Sequence, residues 1–157
     1  MSLAVSQSPT PKGTAFTIGV VAACYNQELV DALLVRVLAG LRSAGVKARK
    51  LKVMRVPGSN ELPVAAQWLA QRRGLDVVVA LGVLVRGDTI HYELIAHATT
   101  QALQQVALTT GVPVINGVIV AENQAQARAR CAGRIDRGAE FAHAALTMAS
   151  LKRGTLS

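Results

Sequence analysis

Aromatic side chains make up only 3% of the 157 residues. That scarcity removes the stacking surfaces on which single-stranded nucleic-acid binding depends. Cysteine is nearly absent as well. Cys24 and Cys131 form no Cys-x-x-Cys pair, so neither a zinc site nor a disulfide framework is expected, and the chain reads as cytoplasmic. No apolar stretch approaches the roughly eighteen residues of a membrane span. Residues 1–13 carry one charged side chain and two prolines, Pro9 and Pro11, without the basic and apolar regions of a secretory signal. Gly-x-Gly-x-x-Gly and Gly-x-x-x-x-Gly-Lys-[Ser/Thr] are both missing, which disfavours a dinucleotide site and a P-loop. The histidines, His91, His97 and His143, lack metal-ligand spacing. His91 and His97 fall about 240° apart around one helix. No metal and no cofactor is expected.

What is present is an alternation of elements. The chain is 51% hydrophobic and 17% charged, enough apolar material for one ordinary domain. Residues 1–15 read as an extended arm and 16–157 as a single α/β domain. Strands are expected at Phe16–Ala23, Leu51–Val56, Val77–Val85 and Val112–Val120. Helices are expected at Glu28–Ala44, Asn60–Arg73, Thr89–Thr109, Asn123–Cys131 and Ala139–Leu151. The first helix shows Leu29, Ala32, Leu33, Val37 and Leu41 at three- and four-residue spacings. The unbroken run Val77–Val85 belongs in the middle of a parallel sheet. The order βαβαβαβαα predicts a four-stranded parallel core sheet with helices on both faces. The arm before Phe16 has the option of adding a strand to this sheet or to a neighbour's.

Net charge is +8, densest at Lys47-Ala48-Arg49-Lys50-Leu51-Lys52. Positive charge there suits the end of a helix and the start of an edge strand. With no accompanying RNA-binding motif, no nucleic-acid partner is expected. A continuous basic face away from the ligand site would favour the opposite reading.

In open parallel sheets, ligands bind beyond the carboxyl ends of the strands. Four segments are expected on that rim: Cys24-Tyr25-Asn26, Pro57 to Glu61, Val85 to His91, and Asn116-Gly117. Tyr25 either stacks on a planar ligand or packs on the first helix. Asn26 is placed to cap that helix, and Ser59 to cap the second. Asp88 or Thr89 caps the third helix, whose free N–H groups also suit an anion. His91, in its first turn, is either a surface residue or an acid/base group kept neutral by the helix terminus. Asn60 and Glu61 open the second helix, where Glu61 can accept bonds from a ligand hydroxyl. Arg128 and Arg130 lie about 200° apart on one helix, and spacing alone does not choose between them. All five lysines, Lys12, Lys47, Lys50, Lys52 and Lys152, fall off the rim. Any imine chemistry would therefore take its amine from a substrate.

Several of these stretches occur together in one family. Val56-Pro57-Gly58-Ser59-Asn60-Glu61-Leu62-Pro63 and Leu81-Gly82-Val83-Leu84-Val85-Arg86-Gly87-Asp88-Thr89-Ile90-His91 stand in order with Ile18 to Val21, Tyr25-Asn26, Thr110 to Val114 and Gly117 to Asn123. In these residues the chain resembles the lumazine synthases. The resemblance implies a flavodoxin-like fold and a transferase needing no metal or organic cofactor. It implies condensation of 5-amino-6-ribitylaminouracil with 3,4-dihydroxy-2-butanone 4-phosphate, giving 6,7-dimethyl-8-ribityllumazine, phosphate and water. It places Tyr25 on the pyrimidine, Asn116 beside the ring system and Ser59 and Glu61 on the ribityl chain, with Asn26, Asn60, Val83, Leu84 and Val85 also among the substrate-binding residues. It assigns the phosphate to Gly87, Asp88, Thr89, Arg130 and Arg137, and proton transfer to His91. It also implies a homopentamer, or an assembly of pentamers, with sites shared between subunits.

Three positions depart from the family pattern. Asn60 stands where an aromatic or apolar residue is usual, and Cys24 where arginine is usual. Ala132 to Gly138 is shorter than the customary glycine- and lysine-rich turn, with Arg137 in the place of its lysine. The shortened turn favours a pentamer or a pair of pentamers over a larger shell. The departure at Asn60 keeps a second reading open, a relative that binds a flavin or lumazine without the same catalysis.

Overall fold

The computed structural model describes residues 8–156. Its elements are β1 (Ile18–Ala23), α1 (Gln27–Ser43), β2 (Leu51–Val56), α2 (Leu62–Ala70), β3 (Val77–Val85), α3 (His91–Thr110), β4 (Val114–Ala121), α4 (Gln124–Cys131) and α5 (Arg137–Leu156). Short 3-10 turns at Ala48–Lys50 and Ser59–Glu61 precede β2 and α2. All four strands are parallel, in the order β2-β1-β3-β4. The four parallel strands are those that the alternation predicted, and the layered fold is the flavodoxin-like one that the resemblance implied.

The order explains the sequence pattern. β1 and β3 are interior, so both of their faces are covered by helices, and all six residues of β1 are buried. β2 and β4 are edges and can carry Lys52, Arg55 and Asn116. Alternate residues of β3 feed two cores. Val77, Val79, Leu81 and Val83 pack with Leu33, Val37 and Leu41 of α1 and with Ala142, Ala145 and Leu146 of α5. Val78 and Ala80 pack with Leu62, Ala66 and Leu69 of α2 and with Leu103 and Val106 of α3. The helices therefore divide as α1, α4 and α5 on one face and α2 and α3 on the other. No described helix is long and apolar enough to cross a membrane.

Several boundaries differ from the sequence expectation. β1 begins at Ile18 rather than Phe16, because the Thr17 N–H is taken by the Asp76 carboxylate at 2.7 Å. β4 runs Val114–Ala121, and the Pro113 carbonyl accepts the Val78 N–H as its lead-in. α2 is shorter than Asn60–Arg73, since Ser59–Glu61 forms a 3-10 turn. α5 begins at Arg137, before the expected Ala139. Gly138 is thus a helix residue and not a break. A Cβ there would stand 2.4 Å from Arg36 Cβ, so the glycine lets α5 press against α1.

Of the expected arm, residues 1–7 lie outside the described part. Residues 8–15 form no strand with this sheet. They cross α1 and α5, where the Gly13 N–H donates to the Ala44 carbonyl and the Ser8 and Thr10 hydroxyls meet the two ring nitrogens of His143.

Candidate functional site

All four strands end at one rim, where the loops after β1, β2 and β3 enclose an open pocket of about 550 Å³. The loop after β1 continues the pairing with β2 through Cys24 N–H to the Val56 carbonyl and Tyr25 N–H to the Pro57 carbonyl. Tyr25 is 72% exposed and lines the pocket, which removes the option that it packs on α1. Asn26 does not cap α1 through its side chain. It adopts the left-handed conformation, φ 54° and ψ 43°. Its side-chain Nδ2 donates to the Val83 carbonyl at 2.8 Å. The even-numbered N–H groups of Val78 and Arg86 point to the β4 side, so the odd-numbered main-chain groups of β3 point to β1, and this bond adds a rung to the β1–β3 ladder after β1 has ended.

The loop after β2 supplies Pro57, Gly58 and the turn Ser59–Glu61. The Gly58 N–H donates to Glu61 Oε2 at 2.9 Å, which fixes the carboxylate at the start of α2. Asn60 Nδ2 stands 3.5 Å from Glu61 Oε1. Ser59 is buried and makes no side-chain cap, in contrast to the sequence expectation. Its carbonyl accepts from Thr99 Oγ1 of α3 at 3.2 Å. Gly82 makes this seating possible, because a Cβ there would lie 2.5 Å from Ser59 Oγ.

The loop after β3 carries the densest chemistry. The Arg86 N–H donates to the Ala121 carbonyl, and Arg86 pairs with Glu122 at 2.9 Å. Gly87 and Thr89 line the pocket, while Asp88 is exposed in the same loop but does not line it. Ile90 occupies the cap position of α3, and the nearest side-chain help is Thr89 Oγ1, 3.4 Å from the His91 N–H. His91 is the first residue of α3, exposed, and on the pocket wall.

The pocket therefore unites Tyr25, Asn26, Ser59, Asn60, Glu61, Leu84, Val85, Gly87, Thr89 and His91. It combines an exposed phenol ring, an apolar strip from Leu84 and Val85, a fixed carboxylate, an imidazole and a glycine loop at a helix N-terminus. Val83 is buried beneath it and takes part through its carbonyl. Sequence reasoning missed Tyr92 and Ile95 on the α3 side. Ile95 was available as a signal, being four residues after His91 and so on the same helix face. Tyr92 is buried, and its hydroxyl donates to Glu93 Oε1 at 2.9 Å. That bond, with burial adding to it, raises the phenol above its ordinary pKa. Among the described residues no three of His, Cys, Asp and Glu gather as metal ligands.

Besides Val83 and Asp88, three expected site residues do not line this chain's pocket. Asn116 pairs with Ala80 in the middle of β3, not at the rim. Its amide donates to Thr100 Oγ1 and its oxygen accepts the Val118 N–H. Arg130 sits in the last turn of α4 and donates to the Gln126 carbonyl at 3.0 Å. Arg128, on the other side of the helix, is tied to both carboxylate oxygens of Glu28. Arg137 is not an outward-facing cation. Its guanidinium is buried and paired with Glu140.

Against this geometry, comparison with known proteins is specific. The sequence profile of the 6,7-dimethyl-8-ribityllumazine synthase family matches residues 15–153. A 6,7-dimethyl-8-ribityllumazine synthase of Kineococcus radiotolerans is 46% identical over 145 residues, covering 90% of this chain and 88% of its own. One from Thermococcus onnurineus is 39% identical over 142 residues, covering 90% and 92%. One from Bordetella petrii is 38% identical over 144 residues, covering 92% and 81%.

Proposed function

The chain belongs to the 6,7-dimethyl-8-ribityllumazine synthase family of enzymes, and from that premise we propose that it condenses 5-amino-6-ribitylaminouracil with 3,4-dihydroxy-2-butanone 4-phosphate. The products are 6,7-dimethyl-8-ribityllumazine, phosphate and water. The observation that carries this reading is the meeting of Tyr25, Glu61, Gly87, Thr89 and His91 on one open pocket.

The roles follow from the chemistry of each group. The exposed Tyr25 ring stacks on the flat pyrimidine, while Leu84 and Val85 supply the apolar surface beneath it. Ser59 and Glu61 hold the ribityl hydroxyls, with the carboxylate oriented by the Gly58 N–H. Asn60, on the same wall, places an amide against the ring system. The phosphate lies at the N-terminus of α3, against Gly87, Asp88 and Thr89, where main-chain N–H groups and the helix field favour an anion. His91 exchanges protons as the substrate amine adds to the ketone, as phosphate leaves and as the second ring closes. Arg137, held by Glu140, secures the start of α5 and leaves the phosphate to other groups.

Asn116 and Arg130 complete a neighbouring subunit's pocket in a homopentamer. This accounts for their lying outside the pocket of their own chain. Arginine suits the task because it stays charged and offers paired donors to phosphate oxygens.

Incubating the purified chain with both substrates, and following lumazine absorbance and released phosphate together, tests the assignment. Equal molar yields are expected. Phosphate release without lumazine, or no turnover by correctly assembled protein, would overturn it. Sedimentation at micromolar concentration tests the shared site, with at least five chains per particle expected. A persistent monomer that makes product would refute it.

A further inference from the structure

The charge of this protein is sorted by the fold into two ends. The floor of the sheet, at the amino ends of the strands, lies opposite the pocket. Lys47, Arg49, Lys50 and Lys52 stand at the head of β2, and Arg72 and Arg73 on the turn before β3. The starts of those strands flank Ile18 of β1 in register, so the two groups are about two strand spacings, or 10 Å, apart. The end of α5 closes the gap. Lys50 Nζ and Arg153 Nη2 donate to the same Ala15 carbonyl, at 2.7 and 2.9 Å, and Lys152 Nζ donates to the Leu75 carbonyl. Arg42 at the end of α1 and Lys12 beside Ala44 extend the patch.

Ten of the seventeen basic residues are thus on this floor, with one of the nine acids. That acid, Asp76, is buried and taken by Arg153. The other eight acids lie in loops, in the first turns of helices or, for Asp31, in the second turn of α1, away from the floor. There they nearly cancel the remaining seven bases, so the whole +8 excess sits on the floor. Helix ends explain part of this sorting, since acids favour N-termini and bases C-termini. They do not explain Lys47, Arg49, Lys52, Arg72 and Arg73, which lie beyond the helices. All five are exposed, and none has an ion-pair or side-chain hydrogen-bond partner among the described residues.

We infer that this floor is a docking surface for the phosphate backbone of double-stranded nucleic acid, read without regard to sequence. Double strands fit because their phosphates present dense, regular negative charge and ask only for cations. A single strand would call for stacking rings, and no aromatic side chain lies in residues 47–52, 71–74 or 152–155. A membrane surface would call for a set of exposed apolar side chains among the bases, and those three segments expose no large apolar residue, Val53 and Leu151 standing singly at their edges. The 47–52 cluster alone is too small to argue this. The fold supplies the rest of the face.

The test uses the full chain and a 20-base-pair duplex of random sequence, read by fluorescence anisotropy. About five phosphate contacts predict a slope near −4.5 in log K against log salt, and a loss of affinity of about 500-fold between 50 and 200 mM. Arg72→Glu with Arg73→Glu should weaken binding at least tenfold and flatten the slope by about 2, while lumazine formation is unchanged. If that variant does not fold, Lys47→Gln with Arg49→Gln serves, with the same direction expected. No duplex binding at 50 mM salt, binding indifferent to these changes, or tighter adsorption to phosphatidylserine vesicles than to the duplex would each overturn the inference. The binding assay needs no substrate, so its failure is separate from any failure of the proposed reaction.

Discussion

Asn26 offers the sharpest test of how the rim is held. It ties three quantities to one residue: a left-handed backbone, a hydrogen bond to the Val83 carbonyl at 2.8 Å, and the placement of the exposed Tyr25 beside it. Glycine at this position keeps the conformation but loses the bond. Leaving a buried acceptor without its partner costs about 1–3 kcal/mol. Alanine loses the bond and also meets the left-handed penalty, a further 1–2 kcal/mol or so. Asn26→Gly should therefore cost about 1–3 kcal/mol and Asn26→Ala about 2–5 kcal/mol. At roughly 2–4 °C per kcal/mol for a chain of this size, the midpoint falls by about 2–12 °C and 4–20 °C respectively. The assay is thermal unfolding followed by circular dichroism, with all proteins at one chain concentration because the proposed assembly would contribute to the midpoint. Both variants should also raise the half-saturating concentration of the pyrimidine, since Tyr25 loses its anchored neighbour. A glycine variant no more stable than the alanine variant would refute the backbone argument. Midpoints within a degree of the parent for both would show that the rung carries no weight.

Three further outcomes are expected. His91→Ala should lower single-turnover chemistry by more than it raises the half-saturating concentration of the butanone phosphate, with 10²–10⁴-fold as the usual range for acid/base assistance; unchanged chemistry in an assembled variant would remove His91 from that role. Arg130→Ala should raise the half-saturating concentration of the butanone phosphate more than that of the pyrimidine, and Arg128→Ala should do little, because Arg128 is exposed on the other side of the helix and paired with Glu28; equal effects would mean that α4 is assigned the wrong way round. Burial pushes the Cys131 thiol up to about 11 from 9.0, with Arg36 and Arg130 pulling it partly back. Iodoacetamide at pH 8 should therefore label the exposed Cys24 and spare Cys131 until the chain unfolds. The same shift has a sign for stability. The unfolded thiol ionises near 9 while the folded one keeps its proton to about 11, so its contribution is constant below 9 and lost as pH rises from there.

How far the sequence was legible depended on whether a feature is local. β3 was readable to the residue, because nine consecutive apolar side chains can be covered only between two strands and two helix layers. The ends of α2 and α5 were not. Ser59 has the chemistry of a cap, but Gly82 on a distant strand opens a space that draws it into the interior. Gly138 has the chemistry of a break, but here its missing side chain makes room for Arg36. In both cases the deciding partner is far away in the chain, and local propensity yields to packing.

The pocket divides along the same line. Tyr25, Glu61, Gly87, Thr89 and His91 were legible because each lies between the end of a strand and the first turn of the next helix, and parallel topology carries all such positions to one rim. Asn116 was misplaced because its residue type said nothing of register, and pairing with Ala80 sets it five residues short of the rim-end pair Ala121–Val85. Spacing put Arg128 and Arg130 on opposite sides of α4 but could not say which side was occupied. The structure fills one side with Glu28, one hundred residues earlier, and among the described residues Arg130 bonds only to a carbonyl of its own helix. Such an arginine, at the end of a helix and off its own chain's pocket, suits the proposed site shared between subunits. The floor charge obeys the same logic at larger scale. Its segments are scattered from Lys12 to Arg153, and only the sheet order makes them one surface.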